Sequence, residues 1–121
     1  MRIIVTGSRA FPERGPVWDR LSALREQYGC FILVHGGCST GADAYASQWA
    51  AAHPECPEEV FKADWSAQGK NAGPIRNRRM VEAGADMVLA FPLPQGSGTQ
   101  HTISLAQRAG IFTEIWRPAN G

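Results

Sequence analysis

The chain has 121 residues, and this length is typical of one compact domain, so we expect residues 1–121 to form a single unit. Hydrophobic residues make up 44% of the sequence and charged residues 19%, which excludes a disordered chain. The 12 Lys and Arg residues and 11 Asp and Glu residues give a formal net charge of +1. The protein as a whole therefore lacks the positive electrostatic field with which a protein attracts duplex DNA.

Short apolar runs alternate along the chain with longer amphipathic segments. Strands are predicted over residues 3–6, 31–34, 59–63, 87–91 and 112–116. A first helix carries apolar residues from Val17 to Tyr28, and further helices are predicted over 41–53, 74–84 and 99–109. The strands are almost continuously apolar, which indicates burial on both faces. The prediction is an α/β Rossmann-like three-layer sandwich, with a parallel sheet of about five strands and helices on both faces.

The expected cellular compartment follows from the cysteines and the apolar runs. No apolar run approaches the roughly 20 residues of a membrane helix, and no signal-peptide pattern precedes the first strand. Cys30, Cys38 and Cys56 form no Cys-x-x-Cys pair, so they indicate neither a zinc site nor a disulfide framework. We therefore expect a cytoplasmic protein with no membrane partner.

Loops rich in glycine and small polar residues follow the first four predicted strands, at 7–11, 35–43, 64–76 and 92–99. In parallel sheets, ligands bind beyond the carboxyl ends of the strands. A glycine-rich loop that opens a helix presents free N–H groups to an anion. One such loop would fit an ordinary turn equally well, but those at 36–43 and 96–99 together favour a phosphate-bearing ligand. Neither loop matches a Walker A motif.

Positive charge is concentrated between residues 62 and 79, where five cations accompany one anion, Asp64, and give a local charge of +4. Arg76 lies in the first turn of a predicted helix, and a guanidinium suits a phosphate. For Arg78 we prefer a position on the solvent-exposed face of this helix to a contact with phosphate. The five cations are Lys62, Lys70, Arg76, Arg78 and Arg79.

Five short motifs occur in order along nearly the whole chain. They are Gly-Ser-Arg at 7–9, His-Gly-Gly-x-x-x-Gly-Ala-Asp at 35–43, Ala-Asp-Trp at 63–65, Gly-Lys-x-Ala-Gly-Pro-x-Arg-Asn at 69–77, and Ala-Phe-Pro with Gly-Ser-Gly-Thr at 90–99. Together they resemble the SLOG superfamily, and within it the small YspA/YpsA-related branch of bacteria and phages. The resemblance implies a Rossmann-like fold, a nucleotide or ADP-ribose-like ligand, and a homo-oligomer. Relatives include the LOG phosphoribohydrolases, which split a base from a nucleoside monophosphate, and DprA-type binders of single-stranded DNA.

The comparison with the LOG motifs leaves enzymatic activity open. LOG enzymes carry Pro-Gly-Gly-x-Gly-Thr-x-x-Glu, and the similar segment 94–102 ends in Thr102 in place of the glutamate. The LOG run Arg-Lys-x-x-Met is similar to 76–80, with Asn77 in the lysine place. A threonine cannot serve as a carboxylate base. Asp43 is a candidate substitute, although stabilisation of the first helical turn is equally open to it.

The predicted site combines backbone and side-chain donors. Ser8, Arg9 and Arg76 are expected to donate hydrogen bonds to a phosphate. Asp43 is expected to accept a hydrogen bond from a ribose hydroxyl, and Asn77 to help orient the ligand. If the protein is an enzyme, Arg76 and Asp43 are the predicted catalytic residues. No resident cofactor or metal ligand is predicted, and Mg²⁺ carried by a phosphate is compatible with the sequence. The predicted ligand-binding residues are Gly7, Ser8, Arg9, Gly36, Gly37, Thr40, Gly41, Asp43, Asn71, Gly73, Arg76, Asn77, Gly96, Ser97, Gly98 and Thr99.

Three functions therefore stay open: a nucleotide-binding domain, a nucleoside monophosphate N-glycoside hydrolase, and a single-strand nucleic-acid binder. The first is our prediction and the second is its alternative. The net charge of +1 disfavours the third, which the local charge of +4 only keeps open. Phe11 and Trp65 are candidates for stacking on a base, although ordinary packing is commoner for each. For His101 we prefer a position on the surface to one in the ligand-binding cleft. For Cys38 we prefer the role of a small packing residue.

Overall fold

A five-stranded parallel β-sheet forms the centre of the protein. The computed structural model describes residues 1–94 and 97–118, without the side chain of Ser97. The strands are β1 (Arg2–Gly7), β2 (Ile32–His35), β3 (Glu58–Val60), β4 (Met87–Phe91) and β5 (Phe112–Ile115). Their order is β3-β2-β1-β4-β5, and every neighbouring pair is parallel. The chain thus leaves β1 toward one side of the sheet and later returns to its other side, which makes the end of β1 a topological switch point.

Helices cover both faces of the sheet, as predicted. They are α1 (Arg14–Tyr28), α2 (Gly41–Ala52), α3 (Trp65–Gln68), α4 (Ala72–Glu82) and α5 (Ser97–Arg108), with a 3₁₀ turn at Gly69–Asn71 between α3 and α4. The helices α1 and α2 pack together on one face, and α4 packs against α5 on the other. None of the helices within the described ranges is long and apolar enough to cross a membrane.

The two faces of β1 explain the two hydrophobic clusters. Successive side chains of a strand point to opposite faces. Ile3 and Val5 therefore pack with α1 and α2, including the fully buried Trp49, whereas Ile4 packs with Met80 of α4. A strand buried on both sides needs this continuous apolar sequence, and the predicted parallel three-layer architecture is confirmed.

The segment between β3 and α4 differs most from the prediction. The strand β3 was expected over 59–63 and ends at Val60, and the segment 64–76 holds α3 and the 3₁₀ turn. The carboxylate of Asp64 accepts from the N–H of Ala67 at 3.1 Å, and this N-cap bond starts α3. The helix α4 begins at Ala72, two residues before Pro74. A proline is tolerated there because the first-turn N–H groups have no partner within the helix.

Candidate functional site

A cavity of about 650 Å³ opens at the carboxyl edge of the sheet. The ends of β1 and β2, the segment from α3 into α4, and the start of α5 all contribute to its wall. The two glycine loops after β2 and β4 therefore lie at the same edge, on either side of the switch point at β1. Its lining is Val5, Thr6, Gly7, Ser8, Arg9, Gly36, Cys38, Asp43, Trp65, Lys70, Gly73, Pro74, Arg76, Asn77, Met80, Gly98, Thr99 and His101.

Two glycines hold the loop after β1 against its neighbours. A Cβ on Gly7 would lie 2.9 Å from the carbonyl oxygen of Phe91. Gly41 has a φ of +73°, and a Cβ there would overlap the carbonyl oxygen of Ser8 and lie 2.8 Å from Cα of Arg9. Only glycine allows this backbone approach. Gly41 does not line the cavity, so its role in the structure is to seat Ser8 and Arg9 on the start of α2.

Asp43 braces the loop after β2. Its Oδ2 accepts from the N–H groups of Gly36 at 3.2 Å and Cys38 at 3.3 Å. Its side chain is buried, and burial raises the pKa of the carboxyl above its ordinary value, although the hydrogen bond from the N–H of Cys38 and the charge of Arg76 act in the opposite direction. Asp43 thus shapes the loop and also lines the cavity, and a contact with a ribose hydroxyl stays a prediction.

Hydrogen bonds connect Arg76 to the loop after β2 and, through Asn77, to the start of α5. Nη1 of Arg76 donates to the carbonyl of Gly36 at 2.7 Å, and Nε donates to Oδ1 of Asn77 at 2.8 Å. The buried Asn77 turns its Nδ2 toward Nδ1 of His101 at 3.3 Å and the carbonyl of Gly98 at 3.4 Å. Within residues 1–94 and 97–118, no carboxylate forms an ion pair with Arg76. The guanidinium is therefore fixed by neutral acceptors and keeps its charge available.

Trp65 and Arg9 form the rim of the cavity. Cζ of Arg9 lies 5.4 Å from the ring centroid of Trp65, a cation–π contact, and 49% of Trp65 is exposed. Phe11, the other candidate for base stacking, is instead buried in the core, with its ring centroid 5.5 Å from that of Phe91. The stacking hypothesis is wrong for Phe11, whose aromatic neighbours in the core exclude it from the cavity.

His35 forms a hydrogen bond with the backbone of the glycine loop that follows it. Its Nδ1 accepts from the N–H of Gly37 at 3.0 Å, so Nε2 carries the proton and donates to Glu58. Burial would raise the pKa of Glu58, but hydrogen bonds from His35 and Ser47 outweigh it and the net pKa is lowered. Both ring nitrogens of this buried histidine at the end of β2 therefore have hydrogen-bond partners.

Cys38 lines the cavity in an environment that favours the neutral thiol over the thiolate. Burial, followed by the charge of Asp43, raises the pKa of its thiol. The thiolate is the reactive form, so this environment suits a packing residue. No group of three His, Cys, Asp or Glu side chains in the described part of the chain is placed to hold a metal ion.

The remaining predicted residues fall at three kinds of position. Gly37 and Thr40 line a second, smaller cavity beside the first. Asn71 is exposed on the 3₁₀ turn and lines neither cavity. Gly96 and the side chain of Ser97 lie outside the described residues.

The start of α5 brings His101 to the cavity together with the predicted Gly98 and Thr99, but not Thr102, which stands in the place of the LOG glutamate. Thr102 is fully buried and its hydroxyl donates to the carbonyl of Gly98 at 3.4 Å, so it does not line the cavity. His101 does line it, which makes the preference for a surface position wrong. Met80 of α4 packs in the hydrophobic cluster with Ile4 and also forms part of the cavity wall.

Two comparisons place the chain among known proteins. A family model described as the YspA, cpYpsA-related SLOG family matches residues 1–67, which include β1 to β3 and both loops around Gly7 and Gly36. The Gene 61 protein of Mycobacterium phage D29 is 45% identical over 116 residues, which cover 91% of each chain. The similarity to the phage protein thus extends well beyond the segment that the family model matches.

Proposed function

We propose that this chain, which belongs to the YspA, cpYpsA-related SLOG family, binds a nucleotide or a nucleotide-derived, ADP-ribose-like ligand. The observation that carries the proposal is the cationic, glycine-lined cavity at the switch point of the sheet. Arg9, Lys70 and Arg76 line it. Asp43 is the one carboxylate among the described lining residues, and its Oδ2 accepts from two backbone N–H groups, so the lining keeps an excess of positive charge.

The lining suggests how such a ligand would lie. A phosphate fits beside Arg76 and the N–H groups at Gly98 and Thr99, where the helix α5 begins. The exposed ring of Trp65 offers a face on which a base can stack. Nε2 of His101, whose Nδ1 faces Asn77, remains for the sugar.

Thermal unfolding against a panel of nucleotides tests this proposal. The panel holds nucleoside mono-, di- and triphosphates, ADP-ribose and cyclic dinucleotides. A ligand at about 100 times its Kd stabilises the folded state by about 2.7 kcal/mol, on the order of 10 °C for a domain of this size. Arg76→Ala should remove the shift. Arg78→Ala is the matched control, because Arg78 is exposed on the same helix and does not line the cavity. No shift with any compound would refute the proposal.

Hydrolysis of the N-glycosidic bond of a nucleoside 5′-monophosphate is a second candidate function. One observation favours it: the carboxyl of Asp43 lines the same cavity, and carboxyl groups carry out this chemistry. Chromatography of each monophosphate after incubation would detect the released base. Release that Asp43→Asn abolishes and Arg78→Ala preserves would support the activity. Absence of release from every monophosphate would remove it and leave the binding proposal intact.

A further inference from the structure

A second cavity of about 390 Å³ adjoins the first and shares part of its wall. We infer that this second cavity is a subsite for a second anionic group, so that the site selects a nucleotide with at least two linked phosphates. The inference rests on the proposed function, because the nucleoside must occupy the larger cavity. The two cavities share Arg9, Gly36, Cys38, Trp65 and Arg76.

The second cavity carries only positive charge. Arg9, Lys62 and Arg76 line it, and none of its described lining residues is an aspartate or glutamate. Neither Arg9 nor Lys62 forms an ion pair within the described ranges 1–94 and 97–118. Like charges concentrated in one concave surface repel each other and attract an anion from solution. Asp43 supplies one carboxylate behind this wall, where its Oδ2 accepts from the N–H groups of Gly36 and Cys38. Three cations thus accompany one anion, and this excess of positive charge points to an anionic ligand.

Glycine at position 37 places Lys62 at this cavity. A Cβ on Gly37 would lie 2.7 Å from Cγ1 of Val60, 3.3 Å from Cγ of Lys62 and 3.8 Å from its Cε. The lysine stem thus runs along the bare backbone of the loop, which brings the side chain to the wall of this cavity. The hydroxyl groups of Ser39 and Thr40 add donors to the same wall.

Arg76 and Arg9 connect the two cavities. Both line the larger and the smaller one, so a phosphate beside them has a neighbouring phosphate position toward Lys62. The apolar residues Val5, Pro74 and Met80 line only the larger cavity, which suits the nucleoside. A nucleoside monophosphate would leave the smaller cavity to water, whereas a diphosphate or a diphosphate-linked sugar would place its second phosphate there.

Calorimetric titration with matched nucleotides tests the subsite. AMP, GMP, CMP and UMP are each compared with ADP, GDP, CDP and UDP in buffer free of divalent cations. For the base that binds best, we expect the diphosphate to bind about tenfold more tightly than the monophosphate, which corresponds to about 1.4 kcal/mol. Lys62→Met should bring this ratio close to one and leave the monophosphate affinity unchanged. Lys62 is exposed, so the variant should fold, and thermal unfolding without nucleotide verifies this.

Lys70→Met is the matched control, because Lys70 lines only the larger cavity and its loss changes the net charge equally. It should leave the ratio of the two affinities as in the wild type. A ratio near one in the wild type, or a ratio that persists in Lys62→Met, would overturn the subsite while the nucleotide-binding proposal stands. Failure of all eight nucleotides to bind would also overturn the subsite, and the thermal panel with ADP-ribose and cyclic dinucleotides would then decide the nucleotide-binding proposal by itself.

Discussion

Replacement of Gly36 by alanine displaces the guanidinium of Arg76 without changing any charge. A Cβ at position 36 would overlap Nη1 of Arg76, lie 2.8 Å from its Cζ and lie 3.1 Å from Oδ2 of Asp43. Ordinary contacts of such atoms are about 3.5 Å or longer, so the guanidinium must move by on the order of 1 Å. The 2.7 Å hydrogen bond from Nη1 to the carbonyl of Gly36 is then lost.

The structure sets the size of the two expected effects. The atom that must give way is the end of a flexible side chain, so the free energy of unfolding should fall by only about 1 kcal/mol. Ligand affinity should fall more, because a misdirected Arg76 loses a charge-assisted contact with the phosphate. Such contacts contribute about 1.5–3 kcal/mol, which is roughly 10- to 100-fold in Kd.

Calorimetric titration of Gly36→Ala, with the nucleotide that stabilises the wild type most, measures this loss. Gly15→Ala is the control, because a Cβ at Gly15 has no atom within 4 Å and affinity should stay unchanged. The decisive comparison is with Arg76→Ala. If Gly36→Ala acts through Arg76, it should cost nothing further in that background. An equal loss of affinity in both backgrounds, or no loss in the wild type, would refute the reasoning.

Three further substitutions separate binding from folding. Trp65→Ala should weaken nucleotide binding about tenfold in calorimetry, and unchanged affinity would contradict stacking on Trp65. Because the ring is 49% exposed, the free energy of unfolding should change by at most about 0.5 kcal/mol. Gly41→Ala should lower the free energy of unfolding in urea by about 2 kcal/mol or more, because its positive φ and the carbonyl of Ser8 both oppose a side chain; a loss below about 0.5 kcal/mol would show that the loop adapts. Asp43→Asn should gain stability relative to the wild type as the pH rises from acid to neutral, and a difference independent of pH would contradict this.

The sign of the pH effect at Asp43 follows from its raised pKa. Burial raises the pKa of the folded-state carboxyl above the ordinary value of 3.8, so the folded protein holds this proton more tightly than the unfolded chain. The stabilising contribution is complete below 3.8 and is lost as the pH rises through the folded-state pKa. Asparagine keeps an acceptor for the N–H groups of Gly36 and Cys38 and carries no charge. Urea unfolding of both proteins at several pH values measures the difference.

Much of the architecture could be predicted from the sequence because it depends on local patterns. The continuous apolar runs around Ile4 and Val88 indicated strands buried on both faces, and the structure pairs these residues in neighbouring parallel strands. The helix α3 was missed because it depends on one capping bond from Asp64 over four residues. Such a short element has no apolar periodicity to detect.

The site was predicted less completely, because its geometry depends on contacts between distant segments. The glycines at 7, 36 and 98 were placed correctly at one edge, since strand ends of a parallel sheet converge there. The hydrogen bond from Arg76 to the carbonyl of Gly36 joins residues that are 40 positions apart, and no spacing in the sequence indicates it. Likewise, helix rotation decides that His101 and not Thr102 lines the cavity.

An NMR titration of ¹⁵N-labelled protein tests the location of the nucleotide site most directly. The compound is the nucleotide that gives the largest thermal shift. The proposed site predicts the largest amide shifts at Gly36, Cys38 and Gly98, at the carboxyl edge of the sheet. The turns at Gly29 and Gly84 precede β2 and β4 at the opposite edge, and their amides should not move. Shifts confined to that opposite edge, with the amides of Gly36 and Gly98 unchanged, would contradict a nucleotide site in the cavity.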